Sequence, residues 1–121
     1  MSVNVQNLTG RKCKPCQKGA APLSSNEVQD FLKNVPGWQL SGDQKMISHQ
    51  FLMKDFISAV ELISRVARLA EEEDHHPDLH LTGYRKLNIE LATHSIGGLS
   101  ENDFIMAAKI DQLPKELKKS S

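Results

Sequence analysis

Four consecutive acids run into a histidine pair, a proline and a third histidine in EEEDHHPDLH, residues 71–80. Titratable groups this dense suit metal binding, proton transfer, or nothing beyond the solvated end of a helix. The last is a poor design for stability alone, because a helix C-terminus disfavours the charge of Glu71 to Asp74 and favours cationic histidine. The metal reading has a geometric defect. His76 and His80 stand four apart, the spacing that aligns two imidazoles on one helical face, but Pro77 lies between them and breaks the helix. A His–carboxylate metal site stays open as the lesser reading. Proton transfer fits the residue types better: imidazole accepts a proton, imidazolium donates one, and a nearby carboxylate orients the ring or raises its pKa. His94, in THSIGGLS, is a further candidate. It precedes Gly97-Gly98, which permit a tight turn, and a helix start whose free N–H groups suit a ligand oxygen. These residues point to a pocket between the corner at 74–77 and the loop after Thr93, its substrate unspecified.

The two cysteines, Cys13 and Cys16, form a C-x-x-C. A zinc site normally takes four ligands, and no second pair follows; a redox motif would sit between a strand and a helix. They read as reduced thiols in a mobile segment, with a weak or intermolecular metal clip as the other reading.

The elements that must position these groups are legible from caps and periodicity. Residues 1–22 lack periodicity and read as a polar, flexible arm. In LSSNEV, Leu23 is N′, Ser24 the N-cap, Glu27 N3 and Val28 N4, a capping box with a hydrophobic staple. That short helix runs to about Asn34, before Pro36-Gly37. Two strand-like runs follow around Ser41-Gly42-Asp43, opened by a buried Trp38. From Asp55 the pattern is helical: Phe56, Val60, Ile63, Ala67 and Ala70 form a stripe that Leu62, Val66 and Leu69 widen. Pro77 ends it and places His76 outside the helix. Leu79 and Leu81, then Leu87, Ile89 and Leu91, alternate as a hairpin that turns His80 toward solvent. Ser100, Asp103 and Phe104 repeat the capping grammar and open the last helix, through Ile110. The order α-β-β-α-β-β-α predicts an α+β domain over 23–113: a four-stranded antiparallel sheet with three helices on one face. Residues 114–121 read as a polar tail.

Fifteen basic and fifteen acidic side chains balance, so no nucleic-acid partner is expected. No stretch approaches transmembrane length, so no membrane is expected either. The first 26 residues carry four basic and no acidic side chains, a faint transit-peptide character; a cytoplasmic location is the preferred reading.

EEEDHHP, Tyr84, THSIGGLSENDFIMAAKID and Pro-Gly-Trp at 36–38 together resemble the pterin-4a-carbinolamine dehydratases, the family that includes the dimerisation cofactor of a liver transcription factor. The resemblance covers roughly 23–112. It implies a four-stranded antiparallel sheet with three helices, and dehydration of 4a-hydroxytetrahydropterin to quinonoid dihydropterin in pterin recycling, with no metal or cofactor. Carried over by motif, the catalytic histidines fall on His75, His76 and His94. The acidic positions fall on Glu71 and Asp74, and the pterin contacts on Pro77, Thr93, Ser95 and Asp103. Asp103 has an equally good explanation as a cap. His76 and His94 are expected nearest the chemistry, with His75 orienting the substrate. Six residues separate Pro77 from Tyr84 where many members have five, and Gly83 in a bulged strand would absorb the extra one. The resemblance implies a homodimer or homotetramer, through a sheet edge or the last helix. The alternative is a non-enzymatic binding or dimerisation module of the same fold.

Overall fold

Ser24 Oγ accepts the Glu27 N–H at 3.2 Å, and the Glu27 carboxylate accepts the Ser24 N–H at 2.9 Å, so the expected capping box opens α1 (Ser25–Leu32). In this computed structural model residues 8–14 and 20–119 are described. Cys16 and residues 1–7, 15–19 and 120–121 of the expected arm and tail lie outside them. The other elements are β1 (Gln39–Leu40), β2 (Ile47–Leu52), α2 (Phe56–Glu73), β3 (Asp78–Thr82), β4 (Lys86–Leu91) and α3 (Glu101–Gln112). This is the α+β architecture expected, with sheet order β1-β2-β4-β3 and every neighbouring pair antiparallel. Alternation puts Ile47, Phe51, Leu87, Ile89 and Leu91 into the core and leaves Ser48, Gln50, Asn88 and Glu90 on the opposite face. Phe31 of α1 stacks on Phe104 of α3, centroids 5.0 Å apart. Trp38 is buried and its Nε1–H donates to Asp111 at 3.0 Å.

Four features depart from the sequence expectations. The stripe that α2 buries is Ala59, Leu62, Val66 and Ala70, continued by Glu73, while Phe56 is 54 % and Val60 36 % exposed. The helix carries two apolar stripes of similar period, and small Ser58 and Ala59 let the first turn approach the core along the second. Gly83 lies in no bulge. β3 pairs with β4 residue for residue, and Gly83 and Tyr84 are both left-handed (φ 54° and 56°) in a three-residue turn between Thr82 and Lys86.

The third departure is at the N-terminal end: residues 8–14 are docked. Leu8–Gly10 form a 3₁₀ turn against α3 that buries Leu8, so this stretch is neither free arm nor mobile thiol segment. It accounts for the apolar character of α3 on two sides, since Ile105, Met106, Ala107 and Ala108 are buried along with Phe104 and Ile110. The last helix therefore offers no apolar face to another copy. Finally, the tail beyond α3 folds back. Leu117 bridges Met53, with Lys54 N–H to Glu116 O and Lys118 N–H to Leu52 O, both at 2.9 Å. It occupies edge positions beside the end of β2 that two-residue β1 does not reach.

Candidate active site

The corner after α2 is made by Asp74, whose left-handed backbone (φ 52°, ψ 42°) caps the helix. Asp tolerates this region better than most residues. Both Asp74 and His75 donate their N–H to Ala70 O. From there the chain is no longer helical as it approaches Pro77, and the two histidines diverge. His75 turns inward, its side chain 12 % exposed, and its Nε2–H donates to Asp103 Oδ1 at 2.6 Å. His76 turns outward and bonds Glu71 Oε2 through Nε2 at 2.5 Å, both side chains exposed.

Asp103, the N3 residue of α3, is wholly buried. Besides His75 it accepts the Thr93 hydroxyl on Oδ2 at 2.8 Å and the Ser100 N–H at 3.0 Å, and the Thr93 oxygen contacts the Ser100 hydroxyl at 2.8 Å. Three donors compensate the burial of this carboxylate. Asp103 thus caps α3, as the sequence suggested, and also holds His75, a role the sequence did not assign to it.

β4 ends at Leu91, and Thr93 leads into a 3₁₀ turn, His94–Ile96, closed by left-handed Gly97 (φ 70°). His94 belongs to this turn rather than to the strand, so the strand's alternation does not set its direction. Gly98 is required for another reason: a Cβ there would lie 2.7 Å from Pro22 Cβ, where the chain enters α1. His94 and Ser95 are exposed. His94 lines a cleft of about 570 Å³ with Thr93, Gly97 and Gly98 on one wall and Lys45 and Met46 on the other. The far wall is a turn braced by Asp43, which accepts the Ser41 hydroxyl (2.6 Å) and the Lys45 N–H (3.0 Å). These bonds hold its carboxyl below the usual range. The volume suits a small bicyclic molecule.

The sequence-predicted residues therefore fall into two groups. His75, Asp103 and Thr93 form one hydrogen-bonded chain that reaches the His94 cleft through Thr93. Glu71, His76 and Pro77 line a second hollow of about 330 Å³ with Val66 and Leu79. His80 faces outward, paired with Glu90 at 2.9 Å. Among the described residues, no three His, Cys, Asp or Glu side chains are placed to hold one metal ion.

Sequence reasoning missed Glu73, Asn102, Lys109 and the Lys45–Met46 wall. Glu73 is the inward member of the acidic run: its carboxylate accepts the Cys13 N–H at 2.7 Å and pairs with Lys109 at 2.9 Å. Burial would raise its pKa, but these donors outweigh burial and hold it below the usual range. Its phase, three after Ala70 on the buried stripe, was the available signal. Burial and the Glu73 charge push the Cys13 thiol up to about 12, so the docked thiol is a weak nucleophile.

Residues 21–113 match the family model described as pterin 4 alpha carbinolamine dehydratase. A Halorhodospira halophila protein with that enzyme's name is 46 % identical over 107 residues, which are 88 % of this chain and 97 % of the relative. The Arabidopsis thaliana protein named pterin-4-alpha-carbinolamine dehydratase 2, mitochondrial, is 42 % identical over 93 % of this chain and 62 % of its own length. Among solved structures, a transcriptional coactivator/pterin dehydratase from Brucella melitensis superposes with TM-score 0.70 at 34 % identity, covering 74 % of this chain and 95 % of that one. A pterin dehydratase-like RuBisCO assembly factor of the alpha-carboxysome, at 23 % identity and TM-score 0.53 over 63 % of this chain and 87 % of that one, shares the fold.

Proposed function

The chain belongs to the pterin-4a-carbinolamine dehydratase family, and from that premise we propose that it removes water from 4a-hydroxytetrahydropterin by histidine acid–base catalysis without a metal, in pterin recycling. One observation carries the reading: a buried His75–Asp103–Thr93 chain meets, at Thr93, the cleft that His94 lines. In the elimination a protonated imidazole gives its proton to the C4a hydroxyl, the C4a–O bond breaks and water leaves. The N5–H proton passes to a second base as the N5 electron pair forms the C4a=N5 bond. The adjacent nitrogen activates the leaving group, so proton transfer suffices.

His94 is the exposed imidazole of the cleft and one partner of this transfer. His75 is the other, in place of the substrate-orienting role that the sequence suggested. Its Nε2–H is committed to a buried carboxylate, which fixes the ring and leaves Nδ1 to exchange protons. His76, with Glu71 at the surface, takes the substrate-orienting role, while Ser95 and Asp74 shape the turns that flank the two segments.

A second reading, a binding or dimerisation module, draws on the exposed apolar residues Phe56, Ile57 and Val60 of α2. The two readings are separated by turnover of chemically prepared 4a-hydroxytetrahydropterin. The dehydratase reading expects acceleration over buffer that survives exhaustive chelation and falls about 10²–10⁴-fold in His94→Ala. A folded wild type with no acceleration leaves the module; activity lost on chelation and restored by zinc replaces the metal-free mechanism. A homo-oligomer acting in the cytoplasm completes the reading. Among the described residues no helix is long and apolar enough to cross a membrane. Cell fractionation tests the location.

A further inference from the structure

Residues 8–14 touch both elements that supply the buried His–Asp pair. On α2, the Cys13 N–H donates to Glu73, two residues before His75. On α3, Asn102, immediately before Asp103, exchanges two hydrogen bonds with Lys14: Oδ1 accepts the Lys14 N–H at 2.9 Å and Nδ2 donates to the Lys14 carbonyl at 2.5 Å. Glu73 completes the circuit through its ion pair with Lys109 of α3. The segment is anchored at its start by buried Leu8 and by Arg11 against Glu101 at 2.5 Å. A simple cover for the apolar side of α3 needs Leu8 and little more. Beyond the Arg11–Glu101 pair, the side chains that the strap bonds are two buried ones, Glu73 and Asn102, that adjoin the histidine and the aspartate in sequence. Being buried, those side chains cannot exchange the strap for water without cost. The helical ladder of α2 stops at Asp74, so the placement of His75 depends on how the last turn of α2 is held against the first turn of α3.

We propose that Leu8–Lys14 is a positioning strap, which holds the end of α2 and the start of α3 at the separation that the His75–Asp103 hydrogen bond requires. The proposal rests on the dehydratase reading for its kinetic consequence but not for its structural one. The strap touches no reacting atom; it acts through His75 and Asp103. A displacement of about 1 Å at a catalytic group can cost up to about 10²-fold in rate, so partial release is expected to lower kcat about tenfold with KM changed less than about twofold.

The test uses the full chain and two variants that loosen the strap from opposite sides, Asn102→Ala on α3 and Leu8→Ser on the strap. Three quantities are measured: iodoacetamide labelling of Cys13, separated from Cys16 by peptide mass; the ¹⁵N ring signals of His75; and kcat and KM. In the wild type the docked Cys13 thiol labels slowly. In each variant its labelling accelerates about tenfold or more, because a released thiol regains a near-ordinary pKa of about 8.5. The His75 ring moves from one hydrogen-bonded tautomer toward an averaged signal, and kcat falls. Faster Cys13 labelling with unchanged His75 signals and unchanged kcat overturns the proposal and leaves a cover. Labelling as slow as in the wild type in both variants also overturns it, since these contacts then do not hold the strap. Should Asn102→Ala fail to fold, Leu8→Ser decides, because it leaves α3 intact. A wild type without turnover defeats the dehydratase reading, and the His75 ring signals then decide the strap on their own.

Discussion

His75 and His76 are neighbours in the chain with opposite surroundings, and substitution separates them. Asp103→Asn keeps the shape and an oxygen for the Ser100 cap, but removes the negative charge that holds the His75 N–H. The carboxylate is wholly buried, so no water takes its place. Turnover is expected to fall about 10²-fold or more, the range for disabling one proton-transfer group. Glu71→Gln alters a pair whose side chains are both more than half exposed, where solvent screens the charge. Its effect is expected to be severalfold at most, and mainly on KM. Equal kcat losses in the two variants would put His76, not His75, at the chemistry. If His75 and His94 act as a unit, His75→Ala combined with His94→Ala loses less than the product of the single losses. A multiplicative double loss would show that they work independently. None of this division was visible in the sequence. The residue types and the break at Pro77 marked the corner, but which imidazole faces inward depends on the left-handed Asp74 that starts the non-helical connection.

The elements were legible where a local rule decides them. Both capping boxes, the break at Pro77 and the period-two runs of the strands depend on residues within a few positions of one another, and each is where the sequence put it. What failed depends on distant parts of the chain. The buried stripe of α2 is chosen by what lies opposite it, and the docking of residues 8–14 depends on partners some 60 to 90 positions away. Glu73 shows the energetic side of this. Its carboxylate pKa is depressed on folding, so its contribution is present above the unfolded value near 4.5 and is lost as pH falls through the native one. Glu73→Gln keeps an acceptor for the Cys13 N–H and leaves Lys109 without its counter-charge. At pH 7 it is expected to destabilise the fold by about 1–3 kcal/mol. The gap to the wild type should begin to close below about 4.5, where the unfolded chain takes up the proton, and be gone once pH falls through the depressed native value. Urea unfolding followed by the fluorescence of Trp38 measures both arms. A gap that stays constant down to pH 3 would show that the ion pair contributes nothing to stability.

At the scale of the whole molecule, the described residues leave two surfaces that they do not themselves cover. β3 is an edge strand of five residues, hydrogen-bonded to β4 on its inner side. On the other side of the sheet, the C-terminal tail extends the edge cover beside β2. An open edge is a template for a further strand. The other surface is the outer stripe of α2, where Phe56, Ile57 and Val60 are exposed, joined by Ile63 and Ala67 at helical spacing. Spacings of four, three and four residues from Phe56 to Ala67 form the seam along which a second helix packs. A 13.5 kDa chain with these two surfaces is expected to run in light scattering at micromolar concentration as a dimer or a larger even-numbered assembly, since each surface pairs with its own copy about a two-fold axis. Val60→Asp places a charge in the middle of the α2 seam without touching the core stripe, so it is expected to lower the mass while Trp38 fluorescence and the unfolding midpoint stay close to the wild type. An oligomer that persists in Val60→Asp would assign assembly to the β3 edge, and a monomeric wild type would remove both surfaces as sites of self-association.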